Sequence, residues 1–223
     1  MRFKNYSGIF FLAAASFSCV NAPDNFPTTP EIKFSNIEFV ETAGPDSLIV
    51  SIDFKDAEGD LGLGATEFDP PYNPVEYQRN SVGELINYSN RPSNAPDYNP
   101  IDWIIDPIVN NAVVNDTIWV VQNPNQYNIF INFYIKRNGQ FTEFKWQDPP
   151  YFTTFNGRFP KILNNENSQA IEGNIKYSML SSGWNSIFRN DTIKVEVRIQ
   201  DRQLNASNMV SSPEVTLQSI RKD

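Results

Sequence analysis

A two-residue hydrophobic period, repeated in separate stretches, limits what this chain can fold into more than any other feature. Residues 192–200 alternate cleanly, with Ile193, Val195, Val197 and Ile199 on one side and Lys194, Glu196, Arg198 and Gln200 on the other. Residues 47–54 repeat the pattern, setting Leu48, Val50, Ile52 and Phe54 against Ile49, Ser51 and Asp53. Successive side chains of a strand point to opposite faces, so such segments bury one face and wet the other, as in an antiparallel sheet packed on one side. No stretch sustains a helical period with caps. Aromatic residues make up 13 % of the chain, and its β-branched and aromatic runs are broken by turn residues, which favours strands. The expected class is all-β.

Residues 127–146 read as a hairpin about Asn138-Gly139, a dipeptide that tolerates the two positive φ angles of a type I′ turn. A two-residue loop sets Arg137 opposite Gln140. It follows that Ile135 faces Thr142, Phe133 faces Phe144 and Ile131 faces Trp146 on one side, with Lys136–Phe141, Tyr134–Glu143 and Asn132–Lys145 on the other. One apolar and one mixed face suit the outer sheet of a sandwich. The next clear strand before it is 117–122. Between that strand and 47–54 lies an irregular insertion, 68–110, with seven of the sixteen prolines and many Asn residues. Its length without periodicity marks it as functional or disordered, and its Tyr72, Tyr77, Tyr88, Tyr98 and Trp103 point to ordering. A second irregular stretch covers 147–167.

Of the 223 residues, the first 19 hold Arg2 and Lys4 and no acid, an apolar run over residues 9–15, and then Ser16-Phe17-Ser18-Cys19. A charged region, an apolar core and small residues describe an export signal, 1–19, and the run is too short to span a bilayer. Ser-Phe-Ser-Cys resembles the lipobox of bacterial lipoproteins, although Ser16 stands where Leu is usual. The resemblance implies lipidation of Cys19, the single cysteine, and a membrane contact through that lipid; secretion with cleavage nearby is the alternative. Residues 20–30, with three prolines, suit a tether, leaving 31–220 as one domain with its two insertions. Without Arg2 and Lys4, 16 basic groups face 26 acidic ones, so nucleic acid is excluded as an expected partner. Histidine is absent, which removes the commonest general base and most zinc geometries.

The segment Asp56-Ala57-Glu58-Gly59-Asp60-Leu61-Gly62 directly follows a strand and places acids at alternate positions between glycines. Calcium takes six to eight oxygen ligands, and carboxylates spaced two apart on a tight loop can converge on one ion. An EF-hand is excluded, because Leu61 occupies the position that motif gives to glycine, and Glu67 at the twelfth position reads as coincidence. In a seven-stranded sandwich the loop after the second strand and the loop before the last share one end, which brings Asp201 toward Asp56 and Asp60. The expected metal set is Asp56, Glu58, Asp60 and Asp201, with Ca2+ as the ion. A solvated acidic turn, with Asp201 capping its own loop, is the plainer alternative.

Together, the Asp-x-Glu-Gly-Asp-Leu-Gly loop and the later Asp201-Arg202-Gln203-Leu204-Asn205-Ala206-Ser207-Asn208 turn resemble exported lipoproteins of the Bacteroidota type with an immunoglobulin-like or cadherin-like domain. The resemblance implies an immunoglobulin-like antiparallel β-sandwich with a long Asn/Pro-rich insertion, anchored at the outer membrane or cell surface. The expected function is a non-catalytic binding or structural module, its protein or glycan partner left open. The alternative is a glycan-binding or glycan-processing lipoprotein, in which Asp53, Asp102, Asp106 and Asp148 would supply a carboxylate pair and Tyr72, Tyr98, Trp103, Tyr151 and Trp184 would stack on sugar rings. The recurring Asn-Asp-Thr-Ile at 115–118 and 190–193, with a looser copy at 45–48, reads as turn chemistry opening a strand, and also resembles an O-glycosylation site of such proteins.

Overall fold

The computed structural model describes residues 26–163 and 169–222. Cys19, the export signal and most of the expected tether therefore lie outside the described residues. The chain enters the fold in β1 (Glu31–Val40) and returns antiparallel in β2 (Asp46–Asp56), with a bulge between Phe34 and Asn36. A long excursion follows, carrying β3 (Val75–Tyr77), β4 (Trp103–Ile105), β5 (Ile108–Val109), β6 (Ala112–Val113) and β7 (Thr117–Gln122). Next come β8 (Ile129–Arg137) and β9 (Gln140–Phe144), then β10 (Ile171–Ser181), a five-residue helix α1 (Trp184–Phe188), β11 (Ile193–Ile199), β12 (Val210–Ser211) and β13 (Arg221–Lys222).

Two four-stranded sheets dominate, in the orders β10-β2-β1-β13 and β12-β11-β8-β9. Pairing within them is antiparallel except for β13, which joins β1 in parallel. The alternating segments behave as their period demands. Leu48, Val50, Ile52 and Phe54 of β2 and Ile193, Val195, Val197 and Ile199 of β11 are buried, while Asp53 stands in solvent. Side chains from both sheets form one continuous core, so the sheets bury their apolar faces in common. Trp184 and Phe188 of α1 are fully buried in it. With Phe133, Trp146 and Phe155 they make an aromatic cluster, Phe133 lying 5.6 Å from Trp184 and 5.9 Å from Phe188. The Trp184 indole N–H donates to the Met179 carbonyl at 3.2 Å, which removes the cost of burying that donor.

The excursion between β2 and β8 folds as a unit of its own. Strand β7 is flanked by β3 and β4 rather than by either large sheet. Ile86, Trp103, Ile118 and Val120 are buried outside the main core, with Tyr88 set edge-on to Trp103 at 4.9 Å and Trp119 stacked on it at 6.1 Å. Its seam to the sandwich is polar: Arg158 donates to the carbonyls of Glu67, Tyr72 and Gln126, and Asn128 exchanges hydrogen bonds with the backbone of Phe159. Among the described residues no helix is long and apolar enough to cross a membrane.

Candidate cation site

The site lies where β2 ends. Asp56 is the last residue of the strand and is fully buried, and its Oδ2 accepts a 2.6 Å hydrogen bond from the Gly59 amide, which folds the chain back at once. Gly59 and Gly62 have φ of +70° and +102°, and a Cβ at either would collide with backbone, of Gln169 and of Pro160 and Lys161 respectively. No other residue fits those two positions without moving the chain behind them. Leu61 is buried and bridges Asp201, while the Arg202 amide donates to the Asp60 carbonyl at 3.3 Å. The loop after β2 and the loop after β11 are thus laced together through backbone.

This lacing brings Asp56, Asp60 and Asp201 into one group, with a carboxylate oxygen of each within 4.8 Å of the others. Asp201 also caps its own loop, accepting from the Asn205 amide at 2.7 Å and from its side chain at 2.9 Å. Asp201 therefore caps its own turn while lying beside the two loop acids. Glu58 does not join the mutual set of three, but its Oε2, like Oδ1 of Asp56 and Oδ1 of Asp60, is buried with no hydrogen-bond partner among the described residues. Such atoms are costly, because a buried carboxylate oxygen has lost its water and gained nothing in return. Burial first of all, then the neighbouring acids Asp60, Glu58 and Asp201, push the Asp56 carboxyl up to about 6 against the opposing pull of the Gly59 amide. Asp60 is raised as well, by burial and by Asp201.

Glu67, read in the sequence as coincidental, has a structural task. Both its oxygens accept from the Arg202 guanidinium, one at 2.9 Å, and the Gly64 amide adds a 3.0 Å bond. The Arg202 contact holds the Glu67 carboxyl down at about 2. Because Arg202 adjoins Asp201, this two-pronged pair fixes the rotation of the second loop against the first. Tyr72 adds a bond from its hydroxyl to the Arg202 carbonyl at 2.6 Å. No local signal announces the pair, since its members are 135 residues apart.

The donors are carboxylate oxygens alone, which suit calcium rather than zinc or copper. Asp56, Asp60 and Asp201, with Glu58 alongside, would hold such an ion, and coordination would satisfy the three unpaired oxygens and offset the crowded negative charge. The residues present fit the ion. Of the other acids weighed in the sequence, Asp53 accepts from Asn174 on the outer face of the first sheet, and Asp102 from Asn99 in the insertion. Among the described residues no further group of three potential ligands occurs. Of the aromatic candidates for sugar stacking, Tyr72, Trp103 and Trp184 are buried, the last two entirely within cores, and cannot meet a ligand; Tyr98 and Tyr151 are exposed. The glycosylation-like Ser47 is also buried and hydrogen-bonded to Ser178. Comparison of the chain with protein-family models, curated proteins and solved structures gave no match.

Proposed function

We propose that this chain is a non-catalytic binding or structural module of immunoglobulin-like type, exported, held at a membrane by lipid on Cys19, and stabilised by calcium. The immunoglobulin-like reading draws support from the way the chain alternates between sheets. Strands β1 and β2 lie in the first, β8 and β9 in the second, β10 returns to the first, and β11 and β12 complete the second. The lipid anchor rests on Ser16-Phe17-Ser18-Cys19 and the apolar run before it.

The observation that carries the calcium reading is the set of buried, unpartnered oxygens on Asp56, Glu58 and Asp60 around a carboxylate triplet. A fold that leaves three such atoms dry pays twice, in desolvation and in repulsion, and a divalent cation relieves both. Thermal unfolding after chelation, with and without added calcium, tests it. Calcium at about 100 times its Kd adds roughly 2.7 kcal/mol, which for a domain of this size is about 5–10 °C in melting temperature. Asp60→Asn should shrink that rise, and magnesium should give less of it, because its smaller octahedron holds water tightly. An unchanged melting temperature, with no metal in the purified protein, would leave an ordinary acidic turn.

A further inference from the structure

A groove that shares no residue with the cation site runs along the outward face of the β8–β11 pair. The insertion forms one wall and the segment after β9 the other. Its inner part measures about 500 Å³, and a second hollow of about 490 Å³ shares Ile101, Gln147 and Phe152 with it. The floor is made by Arg198 and Phe130, which are register partners on the paired strands. The guanidinium of Arg198 lies 4.5 Å over the Phe130 ring, and Tyr127 meets that ring edge-on at 6.5 Å.

Three properties separate this groove from ordinary surface relief. Phe152, common to both hollows, has a φ of 44°, in the left-handed region that a large side chain enters only under compulsion from its surroundings. Its ring belongs neither to the main core nor to its partly buried rim; a turn sets its backbone, the Phe152 amide donating to the Asp148 carbonyl at 3.4 Å and the Thr153 amide to the Trp146 carbonyl at 3.0 Å. Arg198 makes no ion pair among the described residues, although stacking on Phe130 fixes its position; the fork is held ready with its donors free. The remaining polar lining of the inner hollow is uncharged, with Gln147, Thr153, Thr154 and Asn156 contributing amides and hydroxyls. Tyr98, 48 % exposed, extends the aromatic surface into the outer hollow, where Asp97 and Asp102 add carboxylates that can accept from sugar hydroxyls.

A pyranose ring offers a flat patch of C–H groups bordered by hydroxyls, each of which both donates and accepts. Its complement is an aromatic face beside planar amides, hydroxyls and a guanidinium, with little net charge. An extended peptide would instead seek a free strand edge, whereas the floor here is the face of two strands already paired with each other. We propose that this groove binds a neutral oligosaccharide, with Phe152 as its stacking platform and Arg198 as a donor to its hydroxyls. The two hollows together give room for more than one sugar residue.

Electrophoresis of the protein through gels containing a β-glucan, a xylan, a mannan or a galactan tests this, followed by calorimetry with oligosaccharides cut from the retaining polymer. At least one gel should retard the protein. Phe152→Ala and Arg198→Ala should each weaken binding about tenfold or more, the scale of a central contact. Phe152→Gly separates function from folding, because it deletes the ring and also relieves the positive φ. Its melting temperature should equal or exceed the parent's while binding is lost. No retardation by any of the four, retardation only by a polyuronate gel, or undiminished binding by a folded Phe152→Gly protein would each overturn the proposal.

Discussion

Asp56, at the end of β2, and Glu67, in the loop that follows, are shifted in opposite directions, which gives the metal-free protein a definite pH profile. Burial and neighbouring acids raise the Asp56 carboxyl from 3.8 to about 6. The folded state therefore keeps a proton that the unfolded chain has already released, so stability falls as pH rises between about 4 and 6 and stays low above it. The fall is on the order of 3 kcal/mol. Glu67 is depressed from 4.5 to about 2, so its contribution is full above about 4.5 and is lost only as pH drops toward 2. Urea titrations of calcium-free protein at pH 4.5 and pH 7 should show the lower stability at pH 7. Asp56→Asn should flatten the difference, and calcium should abolish it by taking the place of the proton. Equal stability at the two pH values without calcium would mean that Asp56 keeps enough water to ionise freely. The acid spacing at residues 56–60 and the topological argument for Asp201 were legible in the sequence, because both depend on local period and loop order. The Glu67–Arg202 pair was not, because neither residue has a neighbour in sequence that hints at the other.

The hairpin of β8 and β9 shows how far a turn dipeptide and a period of two can carry an inference. Asn138 and Gly139 take φ of 51° and 78°, and the pairing sets Phe133 opposite Phe144 and Tyr134 opposite Glu143, the register that the two-residue loop demands. The pairing ends at Phe144, so Trp146 reaches the core from beyond the strand rather than across from Ile131. Phe133 is buried among four aromatic rings, whereas the Tyr134 ring lies on the outer face with the Lys194 ammonium 4.8 Å from its centre. Emptying the first site by Phe133→Ala should cost about 3–5 kcal/mol, and Tyr134→Ala clearly less. Chemical denaturation of both variants measures this, and a reversed order would shift the register by one residue. Strands β3 and β4 escaped the same reasoning because three residues cannot display a period, and their neighbours are the Asn and Pro residues of turns. The groove proposed for oligosaccharide was equally invisible in sequence. Its walls come from two segments without period, and Phe152 looks like any loop aromatic until its backbone angle is known.

At the scale of the whole molecule, two cores of different origin are joined by a polar seam. The sandwich core is built from alternating strands, and the insertion core from Trp103, Ile118 and Val120 beneath stacked rings. Arg158, Asn128 and Glu67 hold the two together through backbone carbonyls, amides and the Arg202 fork. The all-β class was legible because alternation survives in the longest strands, while the separate core was not, because its parts are scattered through a proline-rich stretch. The localisation proposed for this body rests on the N-terminal segment. There the proposal is specific: Cys19 follows an apolar run of the length that a signal peptidase accepts, and lipid on its thiol would carry the folded body to a membrane. A single acyl chain binds membranes only marginally, but bacterial lipoproteins carry several, and their combined transfer energy makes attachment persistent. Expressed in a bacterial host and extracted with a phase-separating detergent, the parent should collect in the detergent-rich phase. Cys19→Ser, which removes the acceptor thiol and leaves the described fold untouched, should move the protein to the aqueous phase. Equal partitioning of the two would refute the anchor and favour a secreted form cleaved near the same position.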